Sequence, residues 1–176
     1  MARGSERFAG LEDESLERSA GTKSNTSIGR FFRYVWARSP EMSRLNPSGG
    51  TRFHKDASLL LWRPQGVIIQ SAVDEIVAHL DELELRQEKP FNRFIDSLEA
   101  DAIDVNYRYI ITVSLYRRVA YTGPAVKSAI LVNDPAMARY YRLHAVLTQA
   151  SAIKVRLFEK REDVAEWLEV PLGLLM

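Results

Sequence analysis

Hydrophobic and polar positions in the last third of the chain predict alternating strands and helices. Residues 126–132 form an apolar run typical of a buried strand. Asp134 and Pro135 then indicate a helix start, with Asp134 as the cap and Pro135 in the first turn. Apolar and basic residues alternate over 153–158, which predicts a second strand, and a short helix is expected over 161–169. This order is typical of an α/β fold.

The middle of the chain predicts two strands, a helix and a further strand. Residues 59–63 read as a strand, a turn follows at 64–66, and residues 67–70 are predicted to be the hairpin partner. The next helix carries its apolar residues on one face, at Val73, Ile76, Val77, Leu80 and Leu83. Pro90 ends that helix. Residues 91–96 then form a predicted strand, and 97–101 a polar loop.

The pattern over 104–121 fits both a strand and a helix. Tyr109, Ile111, Val113 and Leu115 alternate as in a strand, whereas other apolar positions fit a helical face. We predict a helix, because Asp104 is a good cap and a helix would carry the chain back to a parallel strand. The full order predicts an α/β domain with a mixed four- to five-stranded sheet and about four helices.

The length of 176 residues and the hydrophobic content of 46% favour one domain with an extension. We expect the domain to span 53–176 and residues 1–52, rich in Ser, Gly, Arg and Glu, to be disordered or weakly helical. Arginines interleave there with Phe31, Phe32 and Trp36, which is typical of a weak membrane-surface or partner-docking helix. The alternative is a loosely ordered tail.

Composition excludes several classes of function. The chain has no cysteine, so it has no disulfide or thiolate chemistry, and we expect a cytoplasmic protein. The net charge is +1, which argues against nucleic-acid binding. No apolar run approaches the roughly 20 residues of a transmembrane helix. The histidines lack metal-ligand spacing and the glycines form no phosphate loop, so no metal or cofactor is expected.

Several segments resemble bacterial STAS-like proteins. The segments that carry the resemblance are 62–67, 91–96, 126–130 and 155–158, followed by the Ala-Glu-Trp-Leu motif at 165–168. The motif is similar to the branch related to the sporulation anti-sigma-factor antagonist, also described as STAS/SEC14-like. The resemblance covers 59–171 and implies a STAS-like fold with a role in binding.

In the regulatory members of that family, a serine directly after an aspartate is phosphorylated by a partner kinase and controls binding to it. The corresponding place here, residues 104–106, reads Asp-Val-Asn and has no serine. Ser97 does follow Asp96, at the end of a predicted strand. Phosphorylation of Ser97 would add about two negative charges beside Asp96 and disrupt the local structure by charge repulsion. Ser97 is therefore a weak candidate phosphorylation site.

Candidate binding residues lie at strand ends and in an aromatic, cationic segment. Open α/β sheets bind ligands at the carboxyl ends of their strands, so a crevice there would be lined by polar side chains. Tyrosines and arginines in the segment 107–121 suit an anionic ligand or a protein partner. The candidates are Asn92, Arg93, Asp96, Tyr116, Arg117 and Lys127. The alternative is that Arg93 and Asp96 form structural ion pairs.

Three functions remain open. The first is a non-catalytic binding or regulatory module. The second is a carrier of a small apolar or lipid-like ligand, which would need an enclosed pocket of several hundred Å³. Such a pocket would be lined by Phe94, Tyr107, Tyr109 and Tyr116. The third is an enzyme built around Arg93, Asp96 and Lys127, for which the sequence has no recognisable catalytic pattern.

Overall fold

The structure, a computed structural model, describes residues 50–176. Its main sheet has the strand order β1, β2, β4, β6, β7, and a second sheet pairs β3 with β5. Strand β1 runs antiparallel to β2, and all other neighbouring strands are parallel. The strands are β1 Gly50–His54, β2 Leu59–Arg63, β3 Gly66–Ile69, β4 Asn92–Asp96, β5 Ala100–Asp104, β6 Val126–Leu131 and β7 Ile153–Phe158.

Four α-helices follow or connect these strands, and a short 3₁₀ helix follows the last of them. Parallel neighbours need crossover connections, and the helices supply them. The helices are α1 Gln70–Arg86, α2 Tyr107–Ala120, α3 Pro135–Thr148, α4 Arg161–Leu168 and the 3₁₀ helix Leu172–Leu175.

The helices form two unequal layers on the main sheet. On the three-helix face, Leu60 and Ile130 of the sheet belong to one buried cluster with Ile76 of α1 and Met137 of α3. Helix α2 packs between α1 and α3 through a further cluster centred on Val113. On the opposite side, the α4 face, side chains from β2, β4, β6 and β7 pack against α4 and the 3₁₀ helix; these are Leu59, Leu61, Phe94, Ala129, Leu131 and Phe158.

The predicted α/β class, the mixed five-stranded sheet and the four helices are confirmed. The ambiguous segment is helical, as predicted, but its cap is Asn106 rather than Asp104. The Asn106 side-chain oxygen accepts a hydrogen bond from the Tyr109 backbone N–H at 2.8 Å. The predicted cap of α3 is confirmed, because Asp134 accepts from the Met137 N–H at 2.7 Å.

The predicted hairpin between 59–63 and 67–70 is wrong. Strand β2 already has β1 on one side and β4 on the other, so no edge of β2 is free for β3. Gly66, with a positive φ of 66°, begins β3, which leaves the main sheet and pairs with β5 instead.

Two strands were absent from the sequence prediction. Strand β5 begins within the predicted polar loop 97–101, and its sequence has one large apolar residue, Ile103, so it shows no alternation. Strand β1 begins at Gly50, before the expected start of order at Phe53, and includes His54. Both strands are defined by pairing with a partner. The predicted docking helix with Phe31, Phe32 and Trp36 lies outside the described residues.

Candidate functional site

A buried ionic cluster joins α1, α2 and β4 on the three-helix face. Arg93 and Arg117 are 5% and 3% exposed. Arg93 pairs with Glu84, and Arg117 pairs with Asp81 and, at 2.5 Å, with Glu84. Two guanidinium groups therefore meet two carboxylates, and the charges of the cluster balance.

Two tyrosines, Tyr116 and Tyr121, contact this cluster. The Tyr116 hydroxyl donates to Asp81 at 2.5 Å, and the Arg93 guanidinium lies 5.0 Å from the ring centroid of Tyr121. Tyr116 is thus engaged in the core, together with Arg117. Of the predicted binding residues, the structure brings Arg93, Tyr116 and Arg117 together.

His144 of α3 lies beside the cluster and is neutral at physiological pH. The Ser114 hydroxyl and His144 Nδ1 are 2.9 Å apart and share a hydrogen bond. Burial lowers the pKa of His144 to about 4, and the positive charges of Arg117 and Arg93 lower it further in the same direction.

A cavity of about 120 Å³ lies between the main sheet and the three helices. Its walls are mainly apolar side chains, and two side chains of the ionic cluster, Arg93 and Arg117, also line it. The lining residues include Leu60, Trp62, Val77, Arg93, Ile110, Val113, Arg117, Ser128, Tyr141 and His144. Of the residues expected to line a carrier pocket, only Phe94 contributes to this cavity. The volume is well below that of a site for a lipid-sized ligand.

Asp96 lies on the opposite side of the sheet, on the α4 face, and is 2% exposed. Its Oδ2 accepts from Arg63 Nε at 3.1 Å and from Arg161 Nη2 at 2.6 Å. Arg63 also donates to the backbone oxygen of Leu175 at 2.5 Å. Asp96 therefore joins β4 to β2 and α4, and Arg63 extends this network to the 3₁₀ helix.

The predicted crevice of Arg93, Asp96 and Lys127 does not form, because neighbouring odd and even positions of a strand point to opposite faces. Arg93 bonds to α1 on the three-helix face, whereas Asp96 bonds to α4 on the other. Lys127 is on the α4 face but near the other end of the strands, where it donates to the Trp167 oxygen at 2.7 Å and to Glu169. Arg93 and Asp96 each form structural ion pairs with other side chains, which is the alternative interpretation of the sequence.

Asn92 and Ser97 are each held by a hydrogen bond. The Asn92 side-chain oxygen accepts from the Lys127 backbone N–H at 2.9 Å. Ser97 is 1% exposed, and its hydroxyl lies 2.7 Å from the hydroxyl of Tyr141. A kinase would reach Ser97 only after the loop that holds it had opened.

Helix α2 carries a row of exposed apolar side chains that the sequence prediction did not single out. We call Tyr107, Ile111, Leu115 and Val119 the α2 stripe; they are 48%, 40%, 43% and 49% exposed. Their spacing of four residues places them on one side of the helix. Ile110 and Val113 point the other way into the core. The spacing was visible in the sequence, but only the packing showed which of the two apolar sides is buried.

The described chain offers neither a metal site nor a membrane span. Residues 50–176 contain no group of three or more His, Asp or Glu side chains arranged to hold a metal ion. None of the helices formed by these residues has the length and apolar character of a bilayer-crossing segment.

No family model matches the sequence, and no curated protein matches it. The chain is similar to the crystal structure of an uncharacterised protein from the DUF3478 family with a SpoIIAA-like fold, from Shewanella loihica PV-4. The TM-score is 0.46 at 17% sequence identity, over 71% of this chain and 98% of that chain.

Proposed function

We propose that the protein is a non-catalytic binding module that presents helix α2 to a protein partner. The observation that carries the proposal is the α2 stripe, which runs the length of the helix. Exposed apolar side chains are common singly, but a continuous row rimmed by charge is typical of an interaction site. Covering the row would remove apolar surface from water, a favourable contribution of about 25 cal/mol per Å² that is offset in part by the entropy lost on association.

The partner that fits this surface is an amphipathic helix with acidic flanks. Helices α2 and α3 contain no Asp or Glu, and their exposed charged side chains are all arginines: Arg108, Arg118, Arg139 and Arg142. An apolar row on a pair of helices whose exposed charges are all positive favours a partner with apolar residues on one side and carboxylates beside them. Charge of this kind speeds association and selects the partner.

The pairing of the polar residues supports a non-catalytic role. Asp96 is held by two guanidinium groups, and Arg93 is held by a carboxylate within the core. Lys127 is paired with Glu169. A general base or nucleophile needs access to a substrate, whereas each of these groups is engaged by a different side chain of the protein.

The test places a photo-crosslinking amino acid, p-benzoylphenylalanine, at Leu115 of the full chain in cells that produce the protein naturally. The matched control is Leu85 of α1, which is 68% exposed but lies outside the α2 stripe. We expect an adduct with a particular protein from position 115 and not from position 85. Absence of such an adduct from position 115 would contradict the proposal.

The captured protein is then purified and its affinity measured against Leu115→Ser, Ile111→Ser and the control Leu85→Ser. We expect the two stripe variants to weaken binding at least about tenfold, because buried apolar anchors dominate interface energies. Added salt should also weaken binding, because it screens the arginines. An equal loss of affinity in Leu85→Ser would contradict the proposal that an acidic helical partner binds the α2 stripe. Adducts formed only between copies of this chain would contradict it too.

A further inference from the structure

Two buried N–H groups at the cavity lack an acceptor. Trp62 and Arg93 are 4% and 5% exposed, and both line the cavity of about 120 Å³. Neither Trp62 Nε1 nor Arg93 Nε meets a hydrogen-bond acceptor within residues 50–176. A buried donor left without an acceptor destabilises a protein, because it has lost its hydrogen bond to water without gaining another. A ligand in this cavity with a hydrogen-bond acceptor would therefore supply what the two donors lack.

The strand register places both side chains on the same face of the sheet. Strands β2 and β4 are parallel neighbours, with Leu60 opposite Arg93 and Trp62 opposite Ile95. Trp62 is thus two residues beyond the partner of Arg93, and alternate residues share a face. The cavity lies over this face, beneath α1, α2 and α3.

The charges around the cavity favour a neutral ligand. Arg93 and Arg117 line the cavity, and their charges are matched by Glu84 and Asp81. A ligand carboxylate would add a negative charge that no side chain of the cluster balances. A neutral oxygen, such as a carbonyl, can accept from the tryptophan or arginine N–H without that penalty.

The volume sets the size of the ligand. An apolar cavity of about 150 Å³ in another protein holds benzene. A cavity of about 120 Å³ therefore suits a ring or short chain of roughly six to eight non-hydrogen atoms. Most of the wall is apolar, so most of the ligand should be apolar too.

We propose that this cavity binds a small, neutral, mainly apolar molecule that carries one hydrogen-bond-accepting oxygen. Trp62 Nε1 and Arg93 Nε are its donors, and the apolar side chains of α1 and α2 enclose its hydrocarbon part. This site lies behind α2, on the side away from the α2 stripe, and is independent of the partner proposed for that surface.

The test compares cyclohexanone with methylenecyclohexane, which has nearly the same shape but no oxygen. Uniformly ¹⁵N-labelled full-length protein is titrated with each, and the indole N–H signal of Trp62 is followed by NMR. The signal is assigned by its loss in Trp62→Phe. We expect cyclohexanone to shift it downfield and to saturate, and methylenecyclohexane to bind at least about tenfold more weakly, since a buried hydrogen bond is lost.

Cavity-filling variants give a second readout. Val113 lines the cavity, whereas Val126 is equally buried on β6 and does not. Val113→Ile should weaken cyclohexanone binding several-fold, and Val126→Ile should leave it unchanged. Cyclohexanecarboxylate should bind more weakly than the ketone at pH 7.

Three results would overturn the proposal. No saturable shift with cyclohexanone would mean that water alone serves the two donors. An equal shift with methylenecyclohexane would mean that the oxygen is not recognised. Tighter binding of the carboxylate than of the ketone would show that the neutral class is wrong.

Discussion

At the scale of single residues, burial determines the protonation of His144. Its pKa is lowered from 6.5 to about 4, first by burial and then by the charges of Arg117 and Arg93. The folded protein therefore binds a proton at this site less readily than the unfolded chain does. Between pH 6.5 and 4 the unfolded state takes up a proton that the folded state does not, so stability falls as the pH is lowered.

We expect the lowered pKa of His144 to reduce the free energy of unfolding of the parent protein by at most about 3 kcal/mol as the pH falls from 7 to 4. Each unit of pKa difference between the folded and unfolded states corresponds to about 1.4 kcal/mol. The measurement is urea unfolding at several pH values for the parent and for His144→Gln, which does not titrate. The variant should lose less stability over this window than the parent. Parallel losses in the two proteins would show that the pKa of His144 is not lowered by folding.

At the scale of secondary-structure elements, helix α2 serves two roles through its two sides. Val113 and Ile110 hold it in the core, and the α2 stripe faces outward. Its start is set by Asn106, whose side chain accepts from the Tyr109 N–H. An N-terminal N–H of a helix has no partner in the preceding turn, so the cap supplies one.

We expect Asn106→Ala to lower the free energy of unfolding by about 1 kcal/mol, because the Tyr109 N–H loses its side-chain acceptor. The matched control is Asn133→Ala; Asn133 is exposed and precedes Asp134, the residue that caps α3. Urea unfolding of both variants is the measurement, and the control should change by less than about 0.5 kcal/mol. A control loss as large as that of Asn106→Ala would remove the capping explanation.

At the scale of the whole molecule, the two sheets differ in how well they are supported. Strands β4 and β6 each have a parallel neighbour on both sides in the main sheet. Strands β3 and β5 pair only with each other, and Val67 and Ile69 of β3 are about half exposed. Fewer buried contacts mean that the small sheet opens more easily than the rest of the domain.

Hydrogen exchange should show this difference. We expect the hydrogen-bonded amides of β3 and β5 to exchange at least about tenfold faster than those of β4 and β6, through local openings that depend weakly on urea. Amides of β4 and β6 should exchange only on global unfolding. Identical exchange free energies in both sheets, with the same urea dependence, would show that the domain unfolds as one unit.

The sequence by itself determined most elements of the main sheet and the helices that cross between its strands. Long apolar or amphipathic runs report burial directly, as at 126–132 and along α1, and the Asp134-Pro135 start reports a helix because those residues act locally. It also singled out Arg93 and Asp96, as candidates to line a crevice at the strand ends or, alternatively, to form structural ion pairs.

Which residues meet depends on how the elements pack in three dimensions. The pairing of β3 with β5 depends on β2 having both edges occupied, and the separation of Arg93 from Asp96 depends on which face each helix covers. The cavity and its two donors arise where three helices and the strands beneath them fail to fill a volume, and the exposure of the α2 stripe arises from the packing of the opposite side. These features depend on contacts between residues distant in sequence. The pattern along a chain reports only which residues share a face of one helix or strand.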